Sequence, residues 1–338
     1  MKHEALGLPK DLGDGLVMRW ATPADAERVV AFNTMIHADG PNEPATSVGA
    51  WVADLMSGHH PTVDATDFTV VEDTRSLEDG RPTLVSSLAL LSQIWSYDDI
   101  QFGAGQPELV GTLPTYRRRG LIRAQMEAIH ALSESRGELV QGITGIPWYY
   151  RLFGYEMTVN LGGGRLLFWG RPKNTELKPH GTYTERDATV DDVPILQAFY
   201  ANGVRHSHLR LIRSDENWRY MIAGQSPESD AYHPVRFVED DEGQPFGFYL
   251  MNEAKNGAYG IYEVGSAEGS SLRELGLHIA HVLWQHNQRL EVEKRAERIG
   301  FHLGESHRLY EAMGQDLDRL DRLYAWYIRV PDVTAFLH

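Results

Sequence analysis

Cysteine is absent from the 338 residues. Its absence excludes disulfides, thiol nucleophiles and thiolate metal sites, and leaves the compartment open. No apolar run approaches the ~20 residues that a bilayer-spanning helix needs, and the opening residues join no basic stretch to an apolar one. A soluble, cytoplasmic protein that does not engage a membrane is the expectation. Positive charge is also scarce: 32 Lys and Arg stand against 47 Asp and Glu, a formal net charge of −15. Because nucleic-acid affinity is built from cations on phosphates, a nucleic-acid surface is not expected. An acidic surface serves solubility, and it also steers cationic small molecules. The 15 histidines include His59-His60, His206-Ser207-His208 and His278/His281. None has the His-Glu-x-x-His or second-ligand spacing of a metal site, so no metal is expected. Nor does a Gly-x-Ser-x-Gly elbow surround any serine, which leaves a hydrolase triad unsupported.

What is present suits a folded protein of two domains. The chain is 42% hydrophobic, enough to bury a core, and its length fits two units of ~100–200 residues each.

The most informative segment is Arg117-Arg118-Arg119-Gly120-Leu121-Ile122-Arg123. It follows the apolar stretch Glu108-Leu109-Val110-Gly111-Thr112-Leu113 and precedes Ile122, Met126, Ile129 and Leu132, spaced as one face of a helix that Gly137 closes. A strand running into a basic, glycine-containing turn and then a helix offers unpaired backbone N–H groups, the positive end of the helix dipole and arginines behind them. Gly120 lets an anion approach the backbone where a side chain would hold it away. This pattern reads as a pyrophosphate cradle, with a solvated Arg-rich turn as the bland alternative.

After the helix, residues 139–143 read as a short buried strand, followed by Pro147-Trp148-Tyr149-Tyr150-Arg151-Leu152-Phe153-Gly154-Tyr155. Here the chain resembles the GNAT superfamily of acetyl-CoA-dependent N-acetyltransferases. In that family Arg/Gln-x-x-Gly-x-Gly/Ala opens the helix that grips the CoA pyrophosphate, and Tyr-x-x-Phe-Gly-Tyr/Phe follows one strand later. Arg117 and Gly120 match the first pattern, with Ile122 in place of its last small residue. Tyr150, Phe153, Gly154 and Tyr155 match the second. The closer likeness, over residues 110–155, is to the Eis-type (enhanced intracellular survival) branch, through Pro114-Thr115-Tyr116-Arg117-Arg118-Arg119-Gly120 and the tyrosine segment. Members of that branch carry a second, degenerate acetyltransferase-like domain and a third, sterol-carrier-like one. This chain has room for the second only.

An internal echo agrees. Residues 17–26, a strand, a capping Thr22 with Pro23 and then a helix, return as residues 183–192, and Tyr310-Glu311-Ala312-Met313-Gly314 echoes Tyr150-Arg151-Leu152-Phe153-Gly154. Hairpin strands are expected at 68–72 and 84–95 in the first half and at 235–239 and 246–251 in the second. They are followed there by a helix over Leu272–Arg289 and a strand near 298–303. The expected fold is α/β with a mixed sheet: a catalytic domain over 1–170, a breaker-rich linker over 171–181, and a degenerate GNAT-like domain over 182–338. The second half lacks the phosphate loop, since Gly265-Ser266-Ala267-Glu268-Gly269-Ser270-Ser271 has no cation and puts Glu268 where an anion would sit.

The resemblance implies direct attack of an amine on the acetyl-CoA thioester. Leu109, Val110 and Thr112 of a splayed strand would hold the thioester and pantetheine. Arg117, Arg118, Arg119, Gly120, Leu121, Ile122 and Arg123 would hold the pyrophosphate, and Tyr150 would protonate the departing thiolate. Glu108 is the in-strand candidate for the base, beside a water chain or a carboxylate from elsewhere. In the Eis-type branch the chain's terminal carboxylate, brought by the third domain, serves near the site, whereas this sequence stops at Val330-Pro331-Asp332-Val333-Thr334-Ala335-Phe336-Leu337-His338. The expected acceptor is a small, cationic primary amine, walled in part by acidic residues such as Asp39, Glu43 and Asp54. Association of the chain with itself is left open, and so is the alternative of a non-catalytic acyl-CoA-binding sensor.

Overall fold

The computed structural model describes residues 7–40 and 42–338. Two compact units divide the chain. The first takes residues up to Thr158 with Gly224–Tyr232 and Trp326–His338, and the second takes Val159–Ala223 with His233–Ala325.

In the first unit, strands β1 (Lys10–Gly13), β2 (Leu16–Trp20), β3 (Phe68–Glu78), β4 (Arg81–Tyr97) and β5 (Ile100–Thr112) follow one another as antiparallel neighbours. The chain then crosses over through helix α3 (Leu121–Ser135) to β6 (Val140–Ile143), which lies parallel to β5. A late strand, β16 (Leu323–Arg329), pairs antiparallel with β6 through Tyr327, Ile328 and Arg329. Side chains of a strand alternate between faces, and the core divides accordingly. Val70 packs with Val29, Phe32, Val52 and Leu55 of helices α1 (Ala26–Ile36) and α2 (Thr46–Met56). Its neighbour Val71 packs with Leu121 and Ala128 of α3. Met126, Ile129 and Leu132 of α3 are buried, as their spacing predicts.

The second unit repeats the plan with β8 (Arg165–Phe168), β9 (Tyr183–Asp187), β11 (Val235–Asp240), β12 (Pro245–Lys255), β13 (Ala258–Ser266), β14 (Arg298–Phe301) and β15 (Arg319–Leu320), in spatial order β15-β8-β14-β13-β12-β11-β9. Helix α7 (Leu272–Arg289) is the crossover between β13 and its parallel partner β14. The echo read in the sequence is also an echo of contacts. Arg19-x-Ala21-Thr22-x-x-Asp25 places the Arg19 guanidinium on both oxygens of Asp25 at 2.8 and 2.8 Å. Arg186-x-Ala188-Thr189-x-x-Asp192 does the same at 2.7 and 2.8 Å. Each aspartate also accepts from the backbone N–H of its threonine, closing a capping box at the helix start.

Several elements exceed their expected bounds. The first hairpin is two long strands joined at Asp79-Gly80, with Arg81 and Pro82 already inside β4. Residues 171–181 are more than a spacer: they begin with the short helix α4 (Pro172–Thr175), whose buried Asn174 donates to the Phe168 carbonyl at 2.8 Å. That bond fixes the turn after β8, a role that breaker content cannot reveal.

Candidate active site

The site begins with a fault in β5. Ser87 of β4 faces Gly111, but Ala89 faces Glu108, so the strand carries an extra residue between them. The residue that absorbs it is Leu109, buried, with φ +56°. Left-handed backbone costs an L-residue roughly 1–2 kcal/mol, so the surrounding packing has to impose it. On the other side, β6 pairs with β5 only at Ala104↔Val140 and Gly105↔Gln141, and beyond Gly105 the two strands part. Backbone groups of β5 past the bulge are thereby released from the sheet on the side toward β6.

A cleft of about 600 Å³ lies there, entirely within the first unit. Val110, Gly111 and Thr112 form one wall, Tyr116 to Arg118 with Gly120 to Arg123 the end, Ile146, Tyr149, Tyr150, Leu152 and Phe153 the opposite wall, and Ile36 and His37 the rim. The end wall combines left-handed backbone with an uncapped helix start. Arg118 (φ +64°) and Gly120 (φ +76°) turn the chain left-handed, and α3 starts at Leu121 with no side-chain cap. The first helical bond, Ala124 N–H to the Gly120 carbonyl at 3.1 Å, leaves the donors of Leu121, Ile122 and Arg123 pointing out of the helix start. A Cβ on Gly120 would meet nothing within 4 Å, so open space lies in front of that backbone. Arg117 Nε reaches the Thr112 carbonyl at 3.4 Å, while Arg119 lies over the Tyr116 ring at 5.0 Å and Arg123 over the Phe153 ring at 5.5 Å.

Tyr150 sits in a short 3-10 turn, Tyr149–Phe153, that opens at Trp148 and closes at Gly154, both with positive φ. Its buried ring packs edge-on against Tyr149 at 5.3 Å and against Tyr327 of β16 at 5.7 Å, and the Tyr327 hydroxyl accepts the Trp148 backbone N–H at 2.5 Å. Tyr155 is packed away from the cleft, its hydroxyl 2.8 Å from His130 Nε2. Burial raises the Tyr155 phenol, and burial, then the charge of Arg329, bring the His130 imidazole down to about 4. Both are neutral at pH 7.

Of the residues expected from sequence, Val110, Thr112, Arg117, Arg118, Gly120, Leu121, Ile122, Arg123 and Tyr150 come together around this cleft. Leu109, Glu108 and Arg119 do not line it. Leu109 is the buried pivot of the bulge. Glu108 stands just before it, and its carboxylate accepts from the Gln106 amide at 2.7 Å. Burial raises the Glu108 pKa, against the pull of Gln106 and the Leu109 backbone N–H. Asp39, Glu43 and Asp54 are not among the lining residues, and no carboxylate is among the described ones. Asp54 instead accepts the Ser226 N–H at 3.0 Å, and burial raises its pKa. Sequence reasoning missed His37, whose buried Nε2 has no hydrogen-bond partner among the described residues and whose pKa burial lowers. It reaches the rim because the end of α1 packs on Gly111, where a Cβ would lie 2.8 Å from Ile36. Nothing in the local pattern announces that contact. Among the described residues no group of three or more His, Cys, Asp or Glu could hold a metal ion, and no helix is long and apolar enough to cross a membrane.

Parted parallel strands, a bulge at their fork and an uncapped helix start beside it define an acyl-transfer domain of the GNAT kind. Residues 22–158 match the family model of the acetyltransferase (GNAT) domain. Solved structures extend the likeness of fold over 95% of the chain. A "Probable N-Acyltransferase" from Enterococcus faecalis V583 has a TM-score of 0.67 at 14% identity, with 74% of its length covered. A GCN5-related N-acetyltransferase from Kribbella flavida gives 0.63 at 14%, with 72% covered. Eis1 from Mycobacterium abscessus gives 0.59 at 14%, with 75% covered. No curated protein matches the chain by sequence comparison.

Proposed function

We propose that the chain transfers an acetyl group from acetyl-CoA to the primary amine of a small, cationic acceptor, using the cleft of the first unit. The observation that carries this reading is the pairing of the uncapped α3 start with the bulge at Leu109. One is suited to a pyrophosphate and the other to a thioester, and both open into the same 600 Å³ cleft. GNAT acetyltransferases draw their acetyl group from acetyl-CoA. In this chain the donors of Leu121, Ile122 and Arg123, with Arg117 and Arg118, would neutralise the phosphates. Backbone groups of Val110 to Thr112 would align the thioester and stabilise charge on its oxygen. Tyr150, in the wall opposite, would give its proton to the thiolate. With its Gly265-to-Ser271 turn lacking a cation, the second unit is a degenerate copy with a scaffolding role.

Among the described residues no carboxylate lines the cleft, so the preference for a cationic acceptor rests on the net charge of −15 acting at longer range. Thiol release from acetyl-CoA across a panel of amines tests the reading. Turnover is expected with cationic amines ahead of neutral ones, the advantage shrinking as salt is added. Binding of acetyl-CoA without thiol release on any amine would favour a sensor instead.

A further inference from the structure

A directional chain of side-chain hydrogen bonds runs along β4 and β5 and ends on Glu108. The Trp95 indole N–H donates to Gln93 Oε1 at 2.7 Å, the Gln93 amide donates to Gln106 Oε1 at 2.8 Å, and the Gln106 amide donates to Glu108 Oε1 at 2.7 Å. Every bond points the same way. Each link uses an amide's oxygen to accept and its NH₂ to donate, so the chain polarises toward one end, and that end is a carboxylate. Gln93, Gln106 and Glu108 are half-buried, while Trp95 is buried. Among the described residues no cation pairs with Glu108. The groups acting on its carboxyl are the Gln106 amide and the Leu109 backbone N–H. On the β6 side Gln141 takes up Arg329, which also meets Glu134. A half-buried carboxylate without a cation is unstable as a charge unless donors replace the lost water. One neutral glutamine, Gln106, and the Leu109 backbone N–H supply that replacement one residue from the bulge, and Gln93 holds Gln106 in place.

Resting on the transferase reading above, we propose that Gln106, itself aimed by Gln93 and Trp95, is the positioning residue that keeps Glu108 ionised and turned to serve as base for the acceptor amine. The ammonium gives one proton to Glu108 and thence to water. The amine nitrogen then forms a C–N bond to the thioester carbon as the C–S bond breaks. Tyr150 protonates the sulfur and recovers a proton from the second one that the nitrogen loses. A neutral amide donor suits this task better than an arginine, which would hold Glu108 charged too strongly to accept a proton.

The experiment is the pH dependence of kcat for thiol release with a turned-over amine, in wild type, Glu108→Gln, Gln106→Leu and Gln93→Leu. Glu108→Gln should lower kcat by about 10²- to 10⁴-fold and lose the acidic limb. A base works above its pKa, and removing a donor to the ionised form raises that pKa. The acidic limb of Gln106→Leu should therefore move up by about one to two pH units, with activity recovered at alkaline pH and acetyl-CoA affinity unchanged. Gln93→Leu should shift it less, in the same direction, and Gln106→Asn should fall between Gln106→Leu and wild type. Near-wild-type turnover in Glu108→Gln, or a Gln106→Leu profile lowered evenly at every pH, would overturn the inference and leave the transferase reading standing. A wild type that turns over no amine would remove both.

Discussion

Leu109 and Gly120 hold the two unusual backbone conformations on which the site depends, and they hold them for different reasons. Leu109 is forced left-handed by the packing around a bulge, whereas Gly120 adopts φ +76° with little strain and leaves open space before the helix start. The strand–turn–helix pattern showed the second position directly. The first was legible only as an expected splay, because a leucine with positive φ leaves no mark in sequence. Since the backbone supplies most of the anion's partners and each arginine adds charge to a site that has others, Gly120→Ala should weaken acetyl-CoA binding more than Arg118→Ala does. Comparison of the two dissociation constants with wild type checks this. A Gly120→Ala protein that binds as wild type would remove the loop from the account. Tyr150→Phe should lower kcat by about 10²- to 10⁴-fold with little change in acetyl-CoA affinity. Turnover near wild type at saturating substrate would mean that water or another residue protonates the thiolate.

Among the elements, helices were read best where the apolar period was long, as in α3 and α7, and where a threonine and an aspartate three residues later marked the start. Strand lengths were read worst. Residues 73–78, 96–97 and 100–107 are polar, glycine-containing or exposed, yet they belong to β3, β4 and β5, because ladder bonds to a neighbouring strand outweigh local propensity. β16 was not seen at all as part of the first sheet, since its partner β6 lies some 180 residues earlier. The repeated Arg-x-Ala-Thr-x-x-Asp element makes its own prediction. The Arg186 guanidinium, opposed by burial, and the Thr189 bonds bring Asp192 down to about 2 from an ordinary value of 3.8. A carboxyl lowered in the folded state stabilises above its unfolded pKa, and that contribution is lost as pH falls through the folded one. Asp192→Asn should therefore cost about 1 kcal/mol at pH 7, typical of a lost helix cap, and clearly less at pH 2, where the folded carboxyl is about half protonated. Denaturant unfolding at both values measures it. An equal loss at both would show that the effect is one of shape rather than charge.

At the scale of the molecule, the two units share a plan and differ at the start of the crossover helix. α3 begins without a side-chain cap behind arginines. By contrast, α7 begins at Ser271, whose hydroxyl accepts the Glu274 N–H at 3.3 Å, and the Glu274 carboxylate is engaged by the N–H groups of His180 and Gly181. The exposed Glu268 adds negative charge before it. The repeated plan of the two units was readable from motifs. Less readable was that residues 224–232 and 326–338 pack with the first unit, because such returns are decided by tertiary contacts alone. The central claim, an acyl-CoA site built from α3 and the bulge of β5 and not repeated in the second unit, is met most directly by calorimetric titration of the whole chain with acetyl-CoA. About one site per chain is expected, and two sites, or none, would overturn this assignment.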